Sequence, residues 1–211
     1  METADSRCAV DCGMHQGNAQ IEKRNYEDAL YRAPELDFIL LTHAHIDHSG
    51  LLPRMSREGF TGPVYCTEPT LDLLNIMLSD SAHIQETEAE WTNRKQARRG
   101  LKAVQPLYTL EDAERIKAQL RPVAYGESYE PAPGVHVVYR DAGHLLGSAI
   151  LEVRVEAESG PIRRAFSGEL GRSDAMIWHA SAVPDGGVDH LVPSPLYTSH
   201  HADQLQHLQS L

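Results

Sequence analysis

Three imidazoles and a carboxylate fall within six positions of Leu41-Thr42-His43-Ala44-His45-Ile46-Asp47-His48-Ser49-Gly50, directly after the apolar run Phe38 to Leu41. In an extended segment, residues two apart project to the same side, so His43 and His45 can face a common point while Asp47 and His48 turn elsewhere. That arrangement offers two donor sets a few ångströms apart. Imidazole nitrogen and carboxylate oxygen suit Zn²⁺ or a similar divalent ion, and two such ions can share and activate one water. The bland alternative is a histidine-rich surface loop, since the chain holds 12 histidines. The order H-x-H-x-D-H after a strand is far more specific than that count.

Four donors from one loop cannot close two metal sites, so a distant histidine and a bridging carboxylate are expected at turns that follow strands. His144, in Asp141-Ala142-Gly143-His144-Leu145-Leu146-Gly147-Ser148, and Glu169, in Phe166-Ser167-Gly168-Glu169-Leu170-Gly171-Arg172, meet that description. Glycines beside His144 let it approach a metal without backbone crowding. Taken alone, His144 reads more readily as a structural hydrogen-bonder and Glu169 as an ordinary turn carboxylate. Beside the first cluster they read as ligands.

The positioning elements are legible in outline. Cys8-Ala9-Val10, leading into Asp11-Cys12-Gly13, and Phe38 to Thr42 read as strands buried on both faces. Ser49 to Arg57 reads as a short helix capped by Ser49, with Pro53 near its start and Gly59 as its stop. Val64 to Thr67 is a strand, and Pro69 to Leu78 is a helix with Leu71, Leu74, Met77 and Leu78 on one side. Asp80 to Arg99 is polar and helix-compatible, acidic early and basic late as the macrodipole favours, and Gly100 closes it. Thr109-Leu110-Glu111-Asp112 resembles a capping box opening a helix to about Leu120 that Pro122 ends. Val135 to Tyr139, Ala149 to Val155 and Ile162 to Phe166 are strands between glycine and proline turns. The pattern gives an α/β fold with sheet packed on sheet.

A chain of 211 residues fits one large domain with a sizeable core. Its net charge of −11 excludes an overall basic nucleic-acid coat but not a local basic groove. Cys8, Cys12 and Cys66 form no C-x-x-C pair, which fits a reducing, cytoplasmic setting. No basic-then-apolar leader opens the chain, and no apolar run reaches membrane-span length.

In this order, Asp11-Cys12-Gly13, His43-Ala44-His45-Ile46-Asp47-His48, Gly143-His144 and Ser167-Gly168-Glu169-Leu170-Gly171-Arg172 resemble the metallo-β-lactamase superfamily. Asp11 to Gly17, Asp80 to Glu86, Asn93-Arg94-Lys95 and Asp141 to Ser148 narrow the resemblance to its β-CASP branch, which contains RNA nucleases. The resemblance covers almost the whole chain. It implies an αββα sandwich with a metal pair at the edge of its two sheets, and hydrolysis of RNA phosphodiester bonds. It also implies His43, His45 and His144 on one Zn²⁺, Asp47 and His48 on a second, and Glu169 as the bridge. Asp47 would orient the attacking hydroxide.

Three departures shape the expectation. The bridging carboxylate is usually Asp, so Glu169 adds a methylene where ligand distances tolerate only about ±0.2 Å. The N-terminal hairpin that normally precedes the Asp11 strand is barely present. Val188-Asp189-His190-Leu191-Val192 resembles the strand leading into the β-CASP domain, but Pro193-Ser194-Pro195-Leu196-Tyr197 replaces the acidic motif after it. The expected architecture is therefore an incomplete sandwich, lacking that hairpin and the C-terminal strands. A partial metallo-β-lactamase domain spans residues 1–193, and a truncated start of the β-CASP region, a disordered tail, spans 194–211. The second metal is then one ligand short. His200, His201 and His207 are weak substitutes, because polar C-terminal tails are usually disordered. Uncovered sheet edges favour self-association.

The run Arg94, Lys95, Arg98, Arg99 and Lys102 reads either as phosphate-binding or as a solvated helix face, and Trp91 either as a base-stacking or a packing residue. Three functions follow: a β-CASP-type RNA nuclease, a non-catalytic metal-binding remnant, or a thioesterase or lactamase of the same superfamily.

Overall fold

The computed structural model describes residues 1–27, 32–171 and 187–193. Short strands β1 (Cys8–Val10), β2 (Phe38–Leu40), β3 (Val64–Thr67) and β4 (Leu120–Val123) form a parallel sheet in that order. The second sheet has the order β5 (Ser128–Ala132), β6 (Val135–Asp141), β7 (Ala149–Val155), β8 (Ile162–Phe166), β9 (His190–Val192). It is antiparallel except for the β8–β9 pair.

Two cores follow from the alternation of side chains along a strand. Ile39 and Leu41 point to the helical side, into a core with Leu52, Phe60, Leu74, Leu78, Tyr108 and Ile116. Phe38 and Leu40 point the other way, into the space between the sheets with Val137, Tyr139, Leu151 and Val153. Because both faces of β2 are covered, its sequence is an unbroken apolar run. Tyr139 is fully buried between the sheets, and its hydroxyl donates to the Tyr65 carbonyl oxygen at 2.8 Å, so its polar end is satisfied.

The helices are α1 (Ala19–Glu22), α2 (Ile46–Ser49), α3 (Leu52–Arg57), α4 (Glu68–Ala97) and α5 (Leu110–Lys117). Helix α4 is a single element of 30 residues, where the sequence suggests two segments with a change of character at Asp80. Its first half buries Thr70, Leu74, Leu78 and Ala82; its second half buries only Ala89. The change of composition is a change of surroundings, not a break. The Asp80–Glu86 stretch packs toward α5: Ser81 Oγ lies 2.7 Å from Tyr108 Oη, and Glu86 accepts from the Leu110 amide at 3.2 Å.

Other expectations need correction. Ser49 ends α2 and does not cap a helix to Arg57; its hydroxyl donates to the carbonyls of Ala44 and His45 at 2.8 and 3.0 Å. The helix predicted to reach Leu120 stops at Lys117, and Pro122 lies inside β4, an edge strand where a missing amide donor is tolerated. Residues 1–7 form a small return beside β1, with a Glu2–Arg7 antiparallel bridge and the Met1 ammonium donating to the Cys8 carbonyl at 2.6 Å. The tail 194–211, with His200, His201 and His207, lies outside the described residues.

Candidate metal centre

All six predicted donors converge where the C-terminal ends of β2, β6 and β8 meet. Beyond β2 the chain stays extended through His45, whose φ and ψ are −53° and 145°, and only then turns into α2. His43 and His45 therefore face together, while α2 carries Asp47 and His48 to the neighbouring position. His43 Nε2 lies 3.2 Å from His45 Nδ1, and His144 Nε2 lies 3.3 Å from the same atom. Glu169 Oε2 lies 2.5 Å from His144 Nε2, 3.6 Å from His45 Nδ1 and 4.0 Å from His43 Nε2. The ligand atoms of His43, His45, His144 and Glu169 form one group within 4.8 Å of one another, and those of Asp47, His48 and Glu169 form a second. Glu169 belongs to both.

The two nitrogen–nitrogen distances fit a metal, while the 2.5 Å contact of Glu169 with His144 is a hydrogen-bonding distance. Three nitrogens each about 2.0–2.1 Å from a tetrahedral Zn²⁺ stand about 3.3–3.4 Å apart, close to the observed separations. Protonation states fit too, because ligation requires neutral imidazoles. His43 is fully buried, and burial, followed by the neighbouring His48, His45 and His144, pushes its pKa down to about 2. Burial also holds His144 below the ordinary imidazole value, against the pull of Glu169. His48 behaves differently. Burial opposes its charged form, but the hydrogen bond and charge of Asp11, with Asp47 and Glu169 behind them, outweigh that and raise it.

Asp11 stands behind the second donor group, a placement the sequence did not reveal. It sits just past β1 at a φ of +59°, rare for a residue other than glycine. Its carboxylate accepts from the Thr42 amide at 2.8 Å and from the Thr42 hydroxyl at 2.9 Å, and lies 2.7 Å from His48 Nδ1. Held in this way, Nδ1 keeps its proton and Nε2 faces the second donor group, the usual arrangement behind a ligating histidine. Thr42 also contacts His43 Nδ1 at 2.9 Å, so one threonine steadies both donor sets. The signal was present in the acidic residue ending β1, but the contact spans 37 positions and no local pattern encodes it.

Close backbone approaches fix the loops. A Cβ on Gly13 would fall on the Asp47 carbonyl, and one on Gly171 on the Gly143 carbonyl. The Cys12 amide donates to the His48 carbonyl at 2.7 Å and the Met14 amide to the Ile46 carbonyl at 2.9 Å. On the far side, the Thr67 and Thr70 hydroxyls donate to the Gly147 carbonyl at 2.7 and 2.9 Å, tying the start of α4 to the loop that carries His144. A cleft of ≈ 460 Å³ opens over the second group, with Asp47 and His48 on its floor and His15, Gln16, Phe166 and Val192 around it.

A profile of the family described as "Metallo-beta-lactamase superfamily domain" matches residues 1–161. Among curated proteins, "Ribonuclease TTHA0252" of Thermus thermophilus is 33% identical over 178 residues, covering 84% of this chain and 36% of that protein. "Transcription termination factor FttA" of Cenarchaeum symbiosum is 29% identical over 184 residues, covering 86% of this chain and 26% of that protein. The chain thus spans about a quarter to a third of the length of these relatives. Among solved structures, a B3 metallo-β-lactamase described as having an active-site glutamic acid aligns over 84% of this chain and 58% of its own, with a TM-score of 0.49 and 16% identity.

Proposed function

The chain belongs to the metallo-β-lactamase superfamily, and from that premise we propose that it is a β-CASP-type hydrolase that cleaves RNA phosphodiester bonds at a two-metal centre. The observation that carries the reading is the convergence of His43 Nε2, His45 Nδ1 and His144 Nε2 at 3.2 and 3.3 Å, with Glu169 shared between this group and the second. The RNA substrate is supported by the quoted motifs and by relatives named as a ribonuclease and as transcription termination factors. The reading takes residues 1–193 as the metal-binding domain.

His43, His45 and His144 would hold one Zn²⁺, Asp47 and His48 the other, and Glu169 would contact both. Such ions lower the pKa of a shared water and polarise a phosphoryl oxygen. The chain's own residues do the rest. Asp47, on the cleft floor, accepts a hydrogen bond from the attacking water and orients it for in-line displacement. Asp11 holds the His48 ring in place, and buried His43 stays neutral across the working pH range.

Among the described residues the second donor group contains three residues against four in the first, which favours a second reading: one tightly held ion and no turnover. Elemental analysis of purified protein, with RNA, thioester and β-lactam substrates tested side by side, separates these. We expect about two ions per chain and RNA cleavage abolished by His45→Ala. One ion or none, with no RNA cleavage above a metal-free control, would sink the nuclease; turnover of a thioester or β-lactam alone would move the chain to another branch. The compartment inferred is reducing and cytoplasmic, in keeping with three buried free thiols. Among the described residues no helix is long and apolar enough to cross a membrane.

A further inference from the structure

The far end of α4 carries a charged surface that the metal centre does not use. From Trp91 to Pro106 the sequence holds five cations, Arg94, Lys95, Arg98, Arg99 and Lys102, and no carboxylate, in a chain of net charge −11. Trp91, Arg94, Lys95 and Arg98 follow the i, i+3, i+4, i+7 spacing of one helix face. All five cations are exposed, and none forms an ion pair with a described residue. Trp91 is 57% exposed, which removes the packing role that its amphipathic surroundings suggest. Lys95 Nζ stands 3.2 Å from the centroid of its ring, so aromatic face and charge are presented together.

Two observations distinguish this surface from an ordinary helix end. The macrodipole accounts for cations in the last turn, but not for Arg99 and Lys102 beyond it, nor for an exposed indole among them. The end is also built to keep its shape. Asn93 Nδ2 donates to the Val104 carbonyl at 2.9 Å, and the Val104 amide donates to Asn93 Oδ1 at 2.7 Å, clamping the returning strand of chain against the helix. Gly100, at a φ of +68°, makes the reversal between them. The Arg98–Lys102 turn is thus a fixed knob. Cations without a carboxylate partner among the described residues, beside an exposed indole, match a single strand of nucleic acid, whose phosphates take the charges and whose bases stack on the ring.

We propose that this α4 tip, Trp91 to Lys102, binds single-stranded RNA and feeds it toward the metal centre at the other end of the helix. This rests on the RNA reading above. Thr70, at the near end, is bonded to the loop of His144, and at 1.5 Å per residue the helix carries the tip about 40 Å away from it. A stacked strand at about 3.4 Å per nucleotide needs roughly 12 nucleotides to reach both.

Fluorescence anisotropy with labelled oligouridylates of about six and about 20 nucleotides tests this on the full chain. All the substituted side chains are exposed, so circular dichroism should be unchanged. Replacing Arg94, Lys95, Arg98 and Arg99 together by Gln should weaken binding of both oligomers at least tenfold and flatten the slope of log K against log salt by about 3. Trp91→Ala should cost about tenfold with the salt slope retained. Binding and salt slope unchanged in the quadruple variant overturn the proposal, as does a parent chain that binds phosphatidylserine vesicles but no RNA. If the tip binds RNA and the metal-loaded chain cleaves none, the nuclease reading fails and the tip stands. If cleavage occurs and the quadruple variant keeps its KM for the longer oligomer, the tip fails and the nuclease stands.

Discussion

Asp11 touches neither donor group's facing atoms, yet it holds His48, a member of the second group, through the far ring nitrogen. Its two oxygens are engaged by the Thr42 amide and hydroxyl and by His48 Nδ1, so His48 has one orientation available. His43 and His45 are aimed by the extended chain, with the Thr42 hydroxyl 2.9 Å from His43 Nδ1. The residue is also held at an unfavourable φ of +59°, a conformation that costs of order 1–3 kcal/mol and persists only where surrounding bonds compel it. Asp11→Ala should therefore leave the first ion in place and weaken the second by about 10- to 100-fold, the usual cost of losing the partner behind a metal-bound histidine. Calorimetric titration with Zn²⁺ should show one binding phase retained and one shifted. Loss of both phases together would mean that Asp11 supports the fold and not the second site.

At the scale of elements, the loops matter through how closely their backbones approach. Gly13 lies against the Asp47 carbonyl, and the bonds from Cys12 to His48 and from Met14 to Ile46 join this loop to α2. Gly13→Ala must push α2 away from the cleft; we expect a loss of about 1–3 kcal/mol in urea unfolding, typical of overpacking, together with loss of the second ion. Wild-type stability and metal content would show that the loop yields without moving the helix. The clustering of His43, His45, Asp47 and His48 is legible in the sequence because their spacing is local, set by the two-residue period of an extended chain and the turn after it, whereas His144 and Glu169 gain meaning only beside that cluster. Strands β7 and β8 were legible for the same reason, with boundaries as read. β4 and β5 are not legible as strands, because Pro122 and Pro131 argue against a strand until the sheet shows both at an edge. The length of α4 was hidden by a change from buried to exposed surroundings partway along it. The contacts of Asp11 and of the two glycines join distant segments, so only the assembled fold reveals them.

The whole molecule presents four sheet edges among the described residues, and they are unequally protected. Residues 1–3 lie along β1, with the Cys8 amide donating to the Met1 carbonyl at 2.8 Å. β4 contains Pro122, and β5 contains Pro131 and a register shift between Tyr129 and Ala132. Proline and bulges are the devices by which edges avoid pairing with another chain. β9 has neither, and its Val192 is 44% exposed. The self-association expected from uncovered edges should therefore run through β9 and not through the first sheet. Val192 accepts from the Ser167 amide at 3.1 Å on the β8 side, so the alternate residue, Leu191, turns its amide outward, and Leu191→Pro removes a donor from the free edge while sparing that ladder bond. Sedimentation velocity over a wide concentration range should show association in the parent chain and its loss in Leu191→Pro. Association that survives the substitution would place the contact on another surface, and a parent chain that stays monomeric throughout would show that the β9 edge does not pair. Because β9 borders the cleft through Val192 and Pro193, a second copy pairing there would narrow the approach to the metal centre, so the same variant should cleave RNA at least as fast as the parent at high protein concentration.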